Sequence, residues 1–329
     1  MKYKVSIGPD HDFPTNDALT ILEAAKASGI ELPYGCMVGA CRVCRVRLKT
    51  GKVTYKNDFC GHLTEEEIEE GYFLPCCSIA QDDIELAQDT ITKVPREGVV
   101  VDDKTICGDV VILKLKVSKL SKLSPTPGQY IAIECGNGML RSYSIANIPK
   151  QDGYIELHIK KRIDGVFSDK ICSQLKKNDV LWIRGPFGDF ALDTLNNKPI
   201  IFIATGTGFA PIKAMLESGI LNRNHPIQLY WGGRTQSDLY FNDSIKHFTS
   251  LYTNFQFYPT LSSPLAEENW AGRTGYVQDW IKKDNTTLHS HDVYACGSQN
   301  MIESAHTLLS ESCNLNPDNF KADIFYAPS

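Results

Sequence analysis

Cys36, Cys41 and Cys44 are spaced C-x4-C-x2-C, and 31 residues separate Cys44 from Cys76. That spacing brings four thiolates onto the two irons of a plant-type 2Fe-2S cluster. The chemistry also needs backbone N–H groups close to the sulfurs, and Gly35, Gly39 and Ala40 leave room for that approach. Cys77 follows Cys76 directly. In an extended segment neighbours point to opposite sides, so only one of the two faces the cluster; Cys76 is the expected ligand and Cys77 the alternative. A structural zinc site also takes four thiolates, though it more often shows paired C-x2-C units.

Arg141, Tyr143 and Ser144 stand in RSYSIAN. A guanidinium there forks onto a pyrophosphate, a tyrosine covers an isoalloxazine ring, and a hydroxyl reaches a ring nitrogen. Alone, the string is better explained as an exposed strand with a solvated Arg. It is followed by Gly165, Val166, Phe167 and Ser168, ahead of the helix-like SDKICSQL. The last three amides would form a phosphate site at a helix N-terminus, with Gly165 permitting the close turn.

Gly206, Thr207, Gly208 and Pro211 lie in IIFIATGTGFAPIKAM, a buried-strand run, a glycine turn and a helix with Pro near its first turn. This is the setting of a nucleotide phosphate. The third glycine of the usual dinucleotide fingerprint is missing, which leaves a plain strand-to-helix turn as the competing interpretation. Cys296, in YACGSQNM, occupies another strand-to-helix junction, where parallel sheets place ligands. The competing interpretation is packing.

These groups need three different scaffolds. Around the first cysteines, YKVSI (3–7) and DIEL (83–86) read as strands. DALTILEAAKAS (17–28) reads as a helix with Asn16 or Asp17 as N-cap and Gly29 as its stop. Thr64 and Glu67 form a capping-box pattern opening TEEEIEE, ended by Gly71. Residues 1–92 therefore predict a small α+β domain, and KVPREG (93–98) a linker. From 109 to 185 the pattern becomes period-2 strands (DVVILKLKVSK, GQYIAIEC, RSYSIAN, GYIELHIKKR, DVLWIRG), predicting an antiparallel barrel or sandwich over 93–197. Over 198–329, apolar runs such as PIIFIA, PIQLYWG and DVYACG alternate with helical stretches, the signature of a parallel α/β sheet.

Composition fits that division. The chain has 329 residues, more than one core usually serves, with 42% hydrophobic and 22% charged residues. A net charge of −5 without a basic block argues against nucleic acid. No apolar stretch approaches the length of a membrane helix, and MKYKVSIGPD lacks a signal-peptide apolar region, so a cytoplasmic protein without membrane contact is the expectation. Six of the eleven cysteines fall within the first 77 residues, a distribution unlike a secreted disulfide framework. Cys60, Cys107, Cys135, Cys172 and Cys313 read as small hydrophobes or inert thiols.

Taken in order, the cysteine motif, RSYS, GVFS, GTGFAP, YWGGR and YACGS resemble the ferredoxin-NADP reductase superfamily in its version with an N-terminal plant-type ferredoxin domain. The resemblance covers essentially the whole chain. It implies a β-grasp ferredoxin domain, an antiparallel β-barrel FAD domain and a parallel α/β NAD(P)H domain. It also implies FAD held by Arg141, Tyr143 and Ser144 and around Gly165–Ser168, and the nicotinamide nucleotide along Gly206–Pro211. Ser144 and Cys296 would carry the chemistry, with Cys296 near the reacting nicotinamide carbon and Phe325, or alternatively Tyr326, stacked near the flavin. NADH is expected over NADPH, because LSSP (261–264) lacks the Arg that relatives use for the 2′-phosphate; Arg234 and Arg273 keep NADPH open.

Within the superfamily, LPCCSIAQDDIEL, IELHIKK and GTGFAPIKAM look closest to the reductases of 3,6-dideoxyhexose synthesis. These imply a pyridoxamine-phosphate-dependent dehydrase as the electron acceptor, with the oxygenase component of a multicomponent oxygenase as the alternative partner. Arg42 departs from the small residue the superfamily usually carries after the second cysteine, which puts the cluster's potential and partner surface in question. A reading of another class is a metal-binding regulatory module with decayed redox sites.

Overall fold

The computed structural model describes residues 2–8, 11–56, 63–87, 96–118, 121, 123–149, 153–193, 197–221, 224–242 and 245–325. Cys60, Tyr326 and the 93–95 part of the expected linker lie outside them. Arg96–Gly98 is not linker: it opens a long strand and pairs with Trp182–Arg184.

The first unit contains β1 (Lys2–Ile7), β2 (His11–Asn16), helix α1 (Ile21–Ala27), β3 (Val46–Thr50), β4 (Val53–Tyr55), helix α2 (Glu65–Glu69), β5 (Tyr72–Phe73), β6 (Ser78–Ala80) and β7 (Ile84–Leu86). A mixed sheet in the order β2-β1-β7-β3-β5 packs α1 onto one hydrophobic core. The helix starts later than its apolar pattern predicts. Asn16 Oδ1 accepts from the Ala18 amide and turns the chain, and the cap is Thr20, locked with Glu23 in a reciprocal capping box. The Thr64–Glu67 box forms as expected.

The second unit comprises β8 (Arg96–Cys107), β9 (Val110–Lys116), β10 (Tyr130–Glu134), β11 (Leu140–Ser144), β12 (Tyr154–Lys160) and β13 (Val180–Phe187), all antiparallel in the order β11-β10-β13-β8-β9-β12. The two edge strands meet where Ile145 bridges Leu157 and the Ala146 amide donates to the Glu156 carbonyl. That contact closes the sheet into a barrel and removes its edges. Val99, Leu113, Ile131, Ile155, Leu157 and Ile183 fill the interior.

The third unit is a parallel sheet in the order β17-β16-β15-β14-β18-β19. Its strands are β14 (Ile200–Thr205), β15 (Ile227–Gly233), β16 (Phe255–Leu261), β17 (Arg273–Thr274), β18 (Asp292–Ser298) and β19 (Phe320–Phe325). The helices are α3 (Phe209–Glu217), α4 (Lys246–Leu251), α5 (Val277–Asp284) and α6 (Gln299–Cys313), with a hydrophobic core on each face of the sheet. Strand order reverses at β14, so a ligand crevice opens outside the carboxyl ends of β14 and β18. Among the described residues, no helix is long and apolar enough to cross a membrane.

Candidate functional site

The loop after α1 carries the cysteines past the barrel. The Tyr34 amide donates to the Gly138 carbonyl, and the Leu140 amide to the Tyr34 carbonyl at 2.7 Å. Val43 packs with Ala132 and Leu140 of the barrel. Within the loop, Val38, Ala40 and Cys41 amides donate to Cys36 Sγ at 3.3–3.4 Å, while the Cys36 amide donates to Cys41 Sγ. The hydrogen bond with the Cys41 thiol and these amides hold Cys36 down at about 5, against the opposing effect of burial. A Cβ on Gly35 would come within 2.8 Å of Cys41 Sγ, so glycine keeps the cradle open.

The four expected thiols stand as two pairs, Cys36 with Cys41 and Cys44 with Cys76, whose sulfurs are 3.4 Å apart. Two irons with two thiolates each fit that arrangement. Among the described residues, no three His, Cys, Asp or Glu side chains gather as ligands of a single ion. Cys77 Sγ lies 3.5 Å from Cys76 Sγ.

Arg42 has φ 54°, a left-handed conformation that explains why a small residue suits this position. Its guanidinium does not point away from the protein. It pairs with Glu67, which also takes Arg45, and reaches Asp189 beyond β13 at 3.4 Å.

A cavity of about 440 Å³ joins all three units. The cluster loop supplies Gly35, Cys36, Ala40 and Cys41; the barrel supplies Arg141, Tyr143, Ser144 and the turn Gly165–Ser168; the third unit supplies Thr207, Asp323 and Phe325. Arg141 Nη1 donates to the Gly35 carbonyl at 3.2 Å, so the flavin-type strand touches the cluster loop directly. The rings of Tyr143 and Phe167 lie 5.4 Å apart. The expected α-helix after GVFS is a single π-helical turn, Val166–Ile171, widened by bonds such as Cys172 N to Phe167 O. Its opening amides lack intrahelical acceptors in the way a helix N-terminus does.

Gly206, Gly208, Pro211 and Cys296 are not on the cavity wall. Gly208 is where helix α3 meets β18: a Cβ there would lie 2.1 Å from the Cys296 carbonyl. Cys296 is fully buried, and burial holds its thiol protonated; Sγ lies 4.0 Å from Asp323 Oδ2.

Asp323 is the site residue that sequence reasoning missed. Lining the cavity, it loses water and is pushed up to about 6, with Asp189 adding to the rise and a hydrogen bond with Ser144 opposing it. The available signal was an acid two residues before Phe325 in DIF. Arg273 is committed elsewhere, paired with Asp284 and set over the rings of Tyr258 and Trp280.

Comparison with known proteins gives three family matches: a 2Fe-2S iron-sulfur cluster binding domain over residues 5–81, an oxidoreductase FAD-binding domain over 97–192 and an oxidoreductase NAD-binding domain over 202–307. The chain is 37% identical to the CDP-6-deoxy-L-threo-D-glycero-4-hexulose-3-dehydrase reductase of Yersinia pestis, over 93% of each chain. It is 32% identical to reductase component 1 of the terephthalate 1,2-dioxygenase of Comamonas sp, over 96% of this chain and 95% of that one. The crystal structure of the Amycolatopsis cytochrome P450 reductase GcoB superposes with a TM-score of 0.71 at 26% identity, covering 99% of this chain and 100% of that one.

Proposed function

The chain belongs to the iron-sulfur flavoprotein reductases, oxidoreductases that carry electrons from a nicotinamide nucleotide through FAD to a 2Fe-2S cluster, and from that premise we propose its site residues and its acceptor. Cys36, Cys41, Cys44 and Cys76 hold the cluster. Arg141, Tyr143, Ser144, the turn Gly165–Ser168 and Phe325 hold FAD, and the loop Gly206–Pro211 holds the nucleotide. The three domains run over 1–92, 93–197 and 198–329. The observation that carries this reading is the single cavity whose wall includes both Cys36 and Cys41 and the strand of Arg141, Tyr143 and Ser144.

When bound, FAD converts a two-electron hydride into single electrons, which the cluster carries one at a time. The protein's own part is to bind, orient and manage protons. Arg141 and the opening amides of the Val166 turn present positive charge to a pyrophosphate. Tyr143 stays neutral because burial raises its hydroxyl's pKa, and so presents an uncharged ring. Asp323, hydrogen-bonded with Ser144, holds or releases a proton near neutral pH and joins Ser144 and Cys296 as a candidate catalytic group. Arg42, drawn inward by Glu67 and Asp189, braces the cluster loop rather than presenting a cation to a partner.

The proposed donor is NADH. The engagement of Arg273 by Asp284 supports this, and Arg234 remains an exposed cation beside the crevice. The proposed acceptor is the pyridoxamine-phosphate-dependent CDP-6-deoxy-4-hexulose 3-dehydrase of 3,6-dideoxyhexose synthesis, in the cytoplasm, as for a CDP-6-deoxy-Δ3,4-glucoseen reductase. The 37% identity with the Yersinia reductase favours it over the oxygenase component suggested by the 32% relative. Purified protein with NADH is mixed with each acceptor in turn. Deoxygenation of the CDP-sugar with the dehydrase supports the reading; turnover only with an oxygenase component overturns it.

A further inference from the structure

Strand β12 has two covered faces. Ile155, Leu157 and Ile159 fill the barrel, and Glu156 and His158 point toward the third unit with only 5% and 4% of their surface exposed. Lys213, in the second turn of α3 and itself 5% exposed, is set into that polar face. Its ammonium lies 3.0 Å from Glu156 Oε1 and 2.8 Å from Glu217 Oε1, and donates to the Ala146 carbonyl at 3.0 Å.

His158 completes the network, with Nε2 at 3.0 Å from Glu156 Oε1 and Nδ1 at 2.7 Å from the Tyr240 hydroxyl. With the carboxylate as acceptor, Nε2 carries the proton and the Tyr240 hydroxyl donates to Nδ1. Asn147 Oδ1 accepts from the Glu156 amide at 2.8 Å, and Lys114 stands 3.9 Å from Glu156 Oε2. The hydrogen bond with His158 and the Lys213 charge overcome burial and hold Glu156 down at about 2, while burial keeps His158 neutral.

None of these groups lines the cavity, so they do not bind its contents. Their position is the informative feature. Ala146 lies two residues past Ser144, and α3 begins directly after the glycine turn. One ammonium therefore ties the strand assigned to flavin to the helix that aims the nucleotide loop. A buried ion network is not needed for stability alone, since apolar residues of similar volume often do as well. It does fix direction and distance, and hydride transfer requires reacting atoms at about 3–3.5 Å.

We propose that Lys213 is a positioning residue for hydride transfer, fixing the register of the nucleotide domain against the flavin strand through Ala146 and Glu156. The inference rests on the electron-transfer reading above. The test compares wild type with Lys213→Met and with the double variant Lys213→Met, Glu156→Gln, which removes the buried carboxylate together with the buried ammonium and leaves only Glu217 and Lys114, both partly open to solvent, without that charged partner. The readouts are FAD content, thermal unfolding, NADH affinity by titration, the single-turnover rate of flavin reduction, and the long-wavelength charge-transfer absorbance of reduced protein with NAD⁺.

The double variant is expected to keep its FAD and to bind NADH within about 3-fold of wild type, while flavin reduction slows at least about 10-fold and the charge-transfer band weakens. If Lys213→Met alone fails to fold, the double variant decides. Flavin reduction and a charge-transfer band within about 2-fold of wild type in the double variant overturn the proposal. So does loss of FAD from both variants, which would make Lys213 a structural residue only. Wild type that NADH does not reduce at all would instead sink the electron-transfer reading.

Discussion

The two joints of the barrel are built differently. Toward the cluster domain, the contact is made of backbone bonds between Tyr34 and the Gly138–Leu140 turn, single hydrogen bonds from the Arg141 guanidinium and the Tyr130 hydroxyl to the Gly35 and Cys41 carbonyls, a small apolar cluster around Val43, and the Arg42 ion pair to Asp189, whose side chain is 82% exposed. Toward the nucleotide domain, four acceptor and donor groups converge on Glu156 in the interior, with a second bridge from Lys160 to Asp238 at 2.8 Å. The first joint serves the passage of single electrons, which tolerates separation. The second serves a hydride, which needs near-contact. A buried network of charged groups is placed where distance matters most.

The largest effect is expected at the cluster. Cys76→Ser abolishes the cluster absorbance and electron delivery to any protein acceptor, while NADH still reduces the flavin; Cys77→Ser leaves both intact, and visible spectra distinguish them. Next comes Asp323→Asn, which slows flavin reduction by about 10²-fold and removes an inflection near pH 6 from its rate profile, followed by stopped-flow absorbance.

Breaking the buried joint is a stability effect. Glu156→Ala leaves Lys213 without its buried carboxylate partner and costs about 3–5 kcal/mol by denaturant unfolding. The pH dependence has a definite sign. His158 is depressed below 6.5 in the folded protein, so acidification first favours the unfolded chain from pH 6.5 downward. Glu156, lowered from 4.5 to about 2, contributes stability present above pH 4.5 that is lost as pH falls toward 2. Glu156→Gln flattens the acid limb of the stability curve.

The smallest effect belongs to the outer joint. Arg42→Gly relieves a positive φ and removes both the screened pair to Asp189 and the less exposed pair to Glu67, which keeps Arg45 as a partner, changing stability by about 0–1 kcal/mol. Flavin-to-cluster electron transfer is expected to vary with ionic strength in wild type and to vary less in the variant, as measured by stopped-flow absorbance across a salt series.

Much of the cavity could be read from the sequence because its parts are contiguous strings: the cysteine run, RSYS and GVFS each carry their own spacing. The joint could not. IELHIKK alternates apolar and charged residues and reads as a strand with one wet face, yet Glu156 and His158 are covered by Lys213 and Tyr240, residues more than fifty positions away. A strand's pattern shows which residues share a face, not what lies over it. Asp323 was missed for a similar reason, since its role comes from meeting Ser144 across two domains. The start of α1 shows the limit of apolar periodicity, which extended the helix back to residue 17 through a turn that Asn16 closes.

The most direct test of the account is anaerobic addition of NADH to the purified protein while visible absorbance is followed. The account predicts a flavin band and a cluster band that both bleach, the flavin first. A colourless protein, or a flavin band that bleaches while the cluster band persists, would contradict it.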